Sequence, residues 1–117
     1  MTLEVFELNG HKIAEVVSDE TVINKAGDAL DLMAEAQHRD ADCLILCEKH
    51  LPAAFFDLRT GLAGEILQKY TNYRMRLVII GDFKFQSESL RAFMLESNRG
   101  RQVAFVPDRA AALAKVA

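Results

Sequence analysis

The chain has 117 residues, about half of them apolar and a quarter charged, and a formal net charge of −3. This length and composition predict one globular domain over residues 1–117 with a hydrophobic core of its own. The apolar runs are too short to cross a bilayer, and the first residues are acidic where a secretory signal would be basic. We therefore expect a cytoplasmic protein that has no membrane partner.

The charges are unevenly distributed along the chain. Residues 1–60 contain 12 acidic and 5 basic side chains, whereas residues 61–117 contain 5 acidic and 9 basic ones. A nucleic-acid-binding surface normally shows a denser basic cluster interleaved with exposed aromatic residues. The pattern instead favours complementary solvated faces within one domain, and we expect no nucleic-acid partner.

The first third of the chain predicts a hairpin, a helix and a buried strand. Two alternating runs, 3–8 and 11–17, flank Asn9-Gly10, which is typical of a type I′ hairpin turn. Apolar residues at three- and four-residue steps then predict a helix over 21–38. Cys43–Cys47 is apolar on both faces, as a central parallel strand is. Its two cysteines would lie about 13 Å apart on a regular strand. That is too far for a disulfide, so we expect reduced thiols.

The rest of the chain predicts alternating helices and strands. After Pro52, Asp57 is predicted to cap a helix that ends near Asn72. A strand over 75–80, a helix over 87–99 ended by a left-handed Gly100, a strand over 102–106 and a helix over 109–116 follow. The order β-β-α-β-α-β-α-β-α predicts an α/β fold with a mixed sheet of about five strands. Its first pair would be antiparallel and its later strands parallel.

Four segments carry a resemblance to a bacterial protein family. They cover residues 56–69, 72–74, 80–83 and 96–103. These segments closely resemble domain-of-unknown-function family 4180, and the similarity extends over essentially the whole chain. Because that family has no assigned activity, the resemblance implies none here.

The predicted element order is also similar to that of STAS domains, the SpoIIAA-like fold of anti-sigma factor antagonists. In those proteins a motif of the type Asp-Ser-Ser-Gly-Leu-Gly follows the central strand, and a partner kinase phosphorylates its first serine. Here Asp57–Leu62 occupies the corresponding place, and Thr60-Gly61-Leu62 matches the Ser-Gly-Leu part. Leu58 and Arg59 replace the hydroxyl-bearing residues, so Thr60 is not strictly the modified position. The resemblance implies a STAS-like fold and makes Thr60 a candidate phosphorylation site.

The leading hypothesis is a non-enzymatic regulatory or protein-binding module. Its binding surface would be the second predicted helix and the loop before it, over residues 54–65, flanked by Asp82 and Phe83. The candidate residues are Phe55, Phe56, Asp57, Arg59, Thr60, Gly61, Gly64 and Asp82. Exposed phenylalanines would anchor a protein partner, and a helix N-terminus would favour an anion. The paired glycines indicate that a neighbouring backbone, a partner or a ligand approaches closely.

The alternative hypothesis is a small-molecule-binding protein or an enzyme. Glu48, His50 and Asp82 follow two predicted parallel strands, whose carboxyl ends share the edge where ligands gather. No metal-ligand spacing, nucleophile elbow, phosphate loop or dinucleotide fingerprint accompanies them. We therefore expect no metal and no cofactor. A deep polar pocket at this edge would favour the alternative, and a flat surface would favour the module. The sequence leaves open whether the protein is a homodimer.

Overall fold

The structure is a computed structural model that describes residues 1–84 and 87–116. Within these ranges it has five strands: β1 (Thr2–Leu8), β2 (His11–Val17), β3 (Cys43–Cys47), β4 (Arg76–Ile80) and β5 (Val103–Val106). Its four α-helices are α1 (Ala26–His38), α2 (Leu62–Asn72), α3 (Glu88–Arg99) and α4 (Arg109–Val116). Short 3₁₀ turns over Glu48–His50, Ala53–Phe56 and Leu58–Thr60 lie between β3 and α2. The predicted element order is confirmed.

The five strands form one mixed sheet whose spatial order follows the chain, β1-β2-β3-β4-β5. β1 and β2 are antiparallel, and every later neighbouring pair is parallel. Asn9 and Gly10 have φ values of 51° and 83°, so both positions of the hairpin turn have the positive φ that a type I′ turn requires. The predicted hairpin and the parallel arrangement behind it are therefore both confirmed.

The two faces of the sheet are covered unequally. Leu44 and Leu46 of β3 belong to the core cluster that α1, α2 and α3 bury, whereas Cys43 and Ile45 belong to a second cluster closed by α4. Because side chains alternate along a strand, β3 needs apolar residues at every position to serve both clusters. Cys43 and Cys47 are free thiols, as expected.

Two predicted helix starts lie too early in the sequence. α1 begins at Ala26, because the backbone N–H groups of Val22 and Ile23 donate to the carbonyl of His50 at 3.0 Å and hold that segment outside the helix. α2 begins at Leu62, because Gly61 has a left-handed backbone with φ of 77° and stands at the N-cap. Asp57 caps the 3₁₀ turn Leu58–Thr60 instead, through a bond from the Arg59 N–H.

The predicted left-handed terminator of α3 is also wrong. Gly100 has φ of −94° and ψ of −170°, an extended conformation, and its N–H donates to the Ser97 carbonyl. The chain therefore passes straight into the turn before β5. In the part of the chain that the structure describes, no helix has the length and apolar character needed to cross a membrane.

Candidate functional site

A cleft of about 560 Å³ opens at the carboxyl ends of β3 and β4. The turn after β3, the 3₁₀ turn Ala53–Phe56, the loop after β4 and the start of α3 enclose it. We call it the carboxyl-end cleft. Its lining residues are Glu48, Leu51, Ala53, Phe56, Asp57, Asp82, Phe83, Lys84 and Leu90. Parallel sheets commonly bind ligands at this edge.

The apolar part of the lining is built on the main core. Leu51 and Leu90 are buried, and Phe56 and Phe83 are half-buried. The rings of Phe56 and Phe83 lie 6.1 Å apart, and Phe83 meets Phe105 of β5 edge-on at 5.6 Å. Phe83 has a positive φ of 52°, which is uncommon for a bulky residue and costs backbone strain. The loop after β4 is thus held against the core with an aromatic ring in the cleft.

Gly81 makes this arrangement sterically feasible. A Cβ atom at Gly81 would lie 2.7 Å from the Cβ of Glu48 and 3.1 Å from the ring of Phe83. Real Cβ atoms essentially never make a contact as short as 2.7 Å, and one of 3.1 Å is tighter than nine in ten, so glycine at position 81 lets the Glu48 side chain approach this closely. In the sequence, Gly81 indicates only the end of a strand.

The charged part of the lining is mostly acidic. Asp57 accepts two bonds from Arg59, at 3.0 Å each, and these side-chain hydrogen bonds hold the pKa of Asp57 below its ordinary value. Asp82 lies 3.9 Å from Lys84 in an exposed pair. Glu48 has no ion-pair partner among the described residues. The cleft therefore offers an apolar surface bordered by three carboxylates and one ammonium group.

His50 lies apart from this lining. It is buried, its Nδ1 accepts from the Cys47 N–H at 2.9 Å, and its Nε2 is 2.8 Å from the Ser18 carbonyl. Because Nδ1 accepts from a backbone N–H, Nε2 is the ring nitrogen that can donate to the Ser18 carbonyl, and the ring links the end of β3 to the loop after β2. The structure thus brings Glu48 and Asp82 together at the cleft without His50. Within residues 1–84 and 87–116, no group of three histidine, cysteine or acidic side chains is placed to hold a metal ion.

The candidate aromatic anchors differ in exposure. Phe55 is fully buried and packs edge-on against Phe56 with ring centroids 5.1 Å apart. Of these two phenylalanines, Phe56 reaches the cleft and Phe55 does not, so the prediction that Phe55 is an exposed anchor is wrong. At Gly61 and Gly64 no heavy atom would lie within 4 Å of an added Cβ, so no neighbouring segment of the described chain makes the predicted close approach.

Thr60 and Arg59 are exposed at the end of the 3₁₀ turn that precedes α2. The Thr60 hydroxyl lies 2.6 Å from the Ala54 carbonyl and 2.9 Å from the Asp57 carbonyl, and it accepts from the Leu62 N–H at 3.2 Å. It therefore joins two 3₁₀ turns to the first residue of α2.

Four lining residues were not among the candidates that the sequence indicated: Leu51, Ala53, Lys84 and Leu90. Their places in the cleft depend on how the loops fold back over the sheet, which no local pattern contains. Only the inward position of Leu90 on a predicted helix could have indicated its place.

The protein is thus an α/β protein with a cleft at the carboxyl ends of its parallel strands. The chain belongs to the DUF4180 family, described as a domain of unknown function, whose family model matches residues 8–116. No curated protein and no solved structure matches the chain.

Proposed function

We propose that this protein is a non-enzymatic protein-binding module with a STAS-like fold, and that the carboxyl-end cleft is its binding site. The element order β-β-α-β-α-β-α-β-α, which STAS domains share, supports the fold assignment. The observation that carries the binding role is the combination of a half-buried aromatic pair, Phe56 and Phe83, with the carboxylate of Glu48 fixed beside them by Gly81.

The lining determines the chemistry of the partner. Partly exposed aromatic rings lose water when an apolar side chain covers them, and such contacts dominate protein interfaces. Carboxylates around the apolar area attract positive charge and disfavour acidic partners. The fitting ligand is a partner segment that presents an apolar side chain next to a lysine or arginine.

A pull-down from the native cell, read by mass spectrometry, tests this function with matched variants. Ala53→Trp would fill the cleft from an exposed lining position, and Ala92→Trp adds the same bulk at a position of α3 outside the lining. We expect a partner that wild type and Ala92→Trp capture and Ala53→Trp loses. Glu48→Gln should weaken capture, whereas Glu65→Gln on the exposed side of α2 should not. Equal capture by all variants would refute the cleft as the binding site.

The volume of the cleft supports a second candidate function, the binding of a small molecule. Pockets for small ligands are commonly about 300–1,000 Å³, mostly apolar and furnished with a few polar groups. The same charges favour an amphipathic amine. Native mass spectrometry of protein isolated from its host would reveal a retained compound, and Ala53→Trp should release it. Absence of any bound compound, together with partner capture, would decide for the protein-binding function.

Phosphorylation of Thr60 would regulate the same surface. A phosphate on the hydroxyl abolishes its donation to the Ala54 carbonyl and adds negative charge close to Asp57, the residue that links this turn to the cleft. The loop before α2 would then rearrange and change the acidic border of the cleft. Detection of phosphate on Thr60 in protein from the native host would support this regulation. Unchanged partner binding by Thr60→Glu and Thr60→Ala would count against it.

A further inference from the structure

β1 forms one outer edge of the sheet, where its main pairing among the described strands is with β2. The type I′ turn makes Leu8 and His11 a hydrogen-bonded pair, and the alternation of an antiparallel ladder then directs the backbone groups of Leu3, Val5 and Glu7 away from β2. A seven-residue edge strand of this kind is a template on which another strand can pair.

The opposite edge of the sheet is closed by a side chain. Asn98 of α3 accepts from the Phe105 N–H at 2.7 Å and donates to the Phe105 carbonyl at 3.1 Å, so its amide replaces a neighbouring strand on β5. On β1 the corresponding contact in the described structure is a bond from the Arg39 guanidinium to the Leu3 carbonyl. That contact engages one acceptor, which has a second lone pair, and the outward N–H groups of β1 donate to no described residue. Pairing is thus blocked at β5 and available at β1.

We propose that β1 pairs with β1 of a second copy of this chain, antiparallel and about a two-fold axis at Val5. In this register Val5 faces its own counterpart, Leu3 faces Glu7, and Glu4 faces Phe6 of the second copy. No carboxylate stands directly opposite another, an arrangement that would be destabilising. The two five-stranded sheets join into one continuous sheet, and the interface is isologous, as in most symmetric dimers.

Charge complementarity is what favours a second copy over an unrelated strand. Arg39 lies at the Leu3 carbonyl, and the register places Glu7 of the second copy opposite Leu3, hence beside that guanidinium. Within its own chain neither Arg39 nor Glu7 forms an ion pair with another described residue. The two-fold axis generates the Arg39–Glu7 contact twice, so one chain supplies both partners of each pair. The carboxyl-end cleft adjoins β3 and β4, so this interface and the cleft can be tested independently.

A charge-swap experiment on the full chain tests the dimer. Sedimentation velocity over a concentration series should show wild type shifting from the monomer mass of 13.1 kDa to twice that value. Glu7→Lys and Arg39→Glu should each raise the dimer dissociation constant by about tenfold or more, because both copies of the contact become repulsive. An equimolar mixture of the two variants should dimerise again, since each contact then joins opposite charges. Glu65→Lys, which makes the same charge change on the exposed side of α2, should leave the dissociation constant unchanged.

Hydrogen exchange gives an independent measurement that needs no variant. The amides of Leu3, Val5 and Glu7 should become protected as the concentration rises, whereas those of their β1 neighbours should change little. A wild-type chain that stays monomeric throughout the series would overturn the proposal. A dimer whose dissociation constant is unchanged by both charge reversals would also overturn it. So would a dimer whose concentration-dependent protection lies outside β1.

Discussion

Gly81 lies where β4 ends, and the side chains of Glu48 and Phe83 close over it. Gly81→Ala would force a methyl group against both, and overpacking of this kind typically costs about 1–3 kcal/mol. Urea unfolding should show that loss. Gly64→Ala is the matched control, because its position in α2 has open space around the added methyl and alanine is the better helix former by up to about 1 kcal/mol. We expect Gly81→Ala to lower the free energy of unfolding and Gly64→Ala to raise it. A Gly81→Ala variant as stable as wild type would contradict the steric role of Gly81.

The buried thiol of Cys43 makes the free energy of unfolding decrease at alkaline pH. Burial raises the pKa of its thiol from the ordinary 9.0 to about 12, so the thiol stays protonated in the fold while it ionises earlier in the unfolded chain. This contribution is complete below about pH 9 and is lost as the pH rises toward 12, with a slope of about 1.4 kcal/mol per pH unit. Burial raises the pKa of Tyr70 as well, so its contribution has the same sign.

Urea unfolding between about pH 8 and pH 11 separates the two groups. The free energy of unfolding should fall as the pH rises in wild type. It should fall less steeply in Cys43→Ala, which keeps the contribution of Tyr70 and loses that of Cys43. The comparison concerns slopes, because removal of a buried thiol also lowers stability at neutral pH. Identical slopes in both proteins would mean that Cys43 ionises in the folded state.

At the residue scale, the sequence predicts the acidic lining residues of the cleft better than the contacts that shape its apolar surface. Glu48, Asp57 and Asp82 follow strand ends or precede a helix, and those positions can be read from the order of elements. The role of Gly81 depends on a contact with a residue 33 positions earlier in the chain, which no local pattern contains. The prediction that groups His50 with Glu48 and Asp82 fails for the same reason, because the distant Ser18 carbonyl binds its ring inside the protein.

At the scale of elements, β5 depends on Asn98 for protection of its outer edge. Asn98→Ala would leave the N–H and carbonyl of Phe105 without their side-chain partner, a loss worth about 1–3 kcal/mol where the groups stay dry. It would also open a second edge for pairing. We expect a lower unfolding midpoint in urea and new light scattering at high concentration. Asn72→Ala, which removes only an exposed bond with Gln68, should change stability by less than about 0.5 kcal/mol.

Element identities could be predicted here because local signals agree with the tertiary structure. The hairpin turn, the alternating strands around it and the fully apolar β3 each favour one structure alone. Boundaries failed where distant contacts prevailed. Segment 21–25 has helical spacing, yet bonds of Val22 and Ile23 to the His50 carbonyl keep it outside α1. Gly61 has a positive φ and ends the 3₁₀ turn before α2. From the sequence alone, a single glycine at this position does not show whether the helix begins before it or after it.

At the scale of the whole molecule, α4 is the helix that covers the second core cluster, while three helices share the other face of the sheet. It has eight residues, too few for a stable helix in isolation. Buried Ala112 and Val116 dock it on the sheet. At its first turn, Arg109 forms a bidentate pair with Glu15 of β2, with bonds of 2.9 and 3.0 Å, and lies 5.6 Å above the ring of Phe6. The last helix is thus tied to the first hairpin.

This arrangement predicts that α4 is the first helix to open. Native-state hydrogen exchange should show lower protection in α4 than in α2, because few apolar contacts oppose its release. Arg109→Ala should raise exchange in α4 about two- to fivefold and leave α2 unchanged, since solvent screening limits a pair whose arginine side chain is more than half exposed. A double-mutant cycle with Glu15→Gln should therefore give a coupling energy of about 0.5–1 kcal/mol. Equal acceleration in α2 and α4 would show instead that the helix leaves the sheet only when the whole domain unfolds.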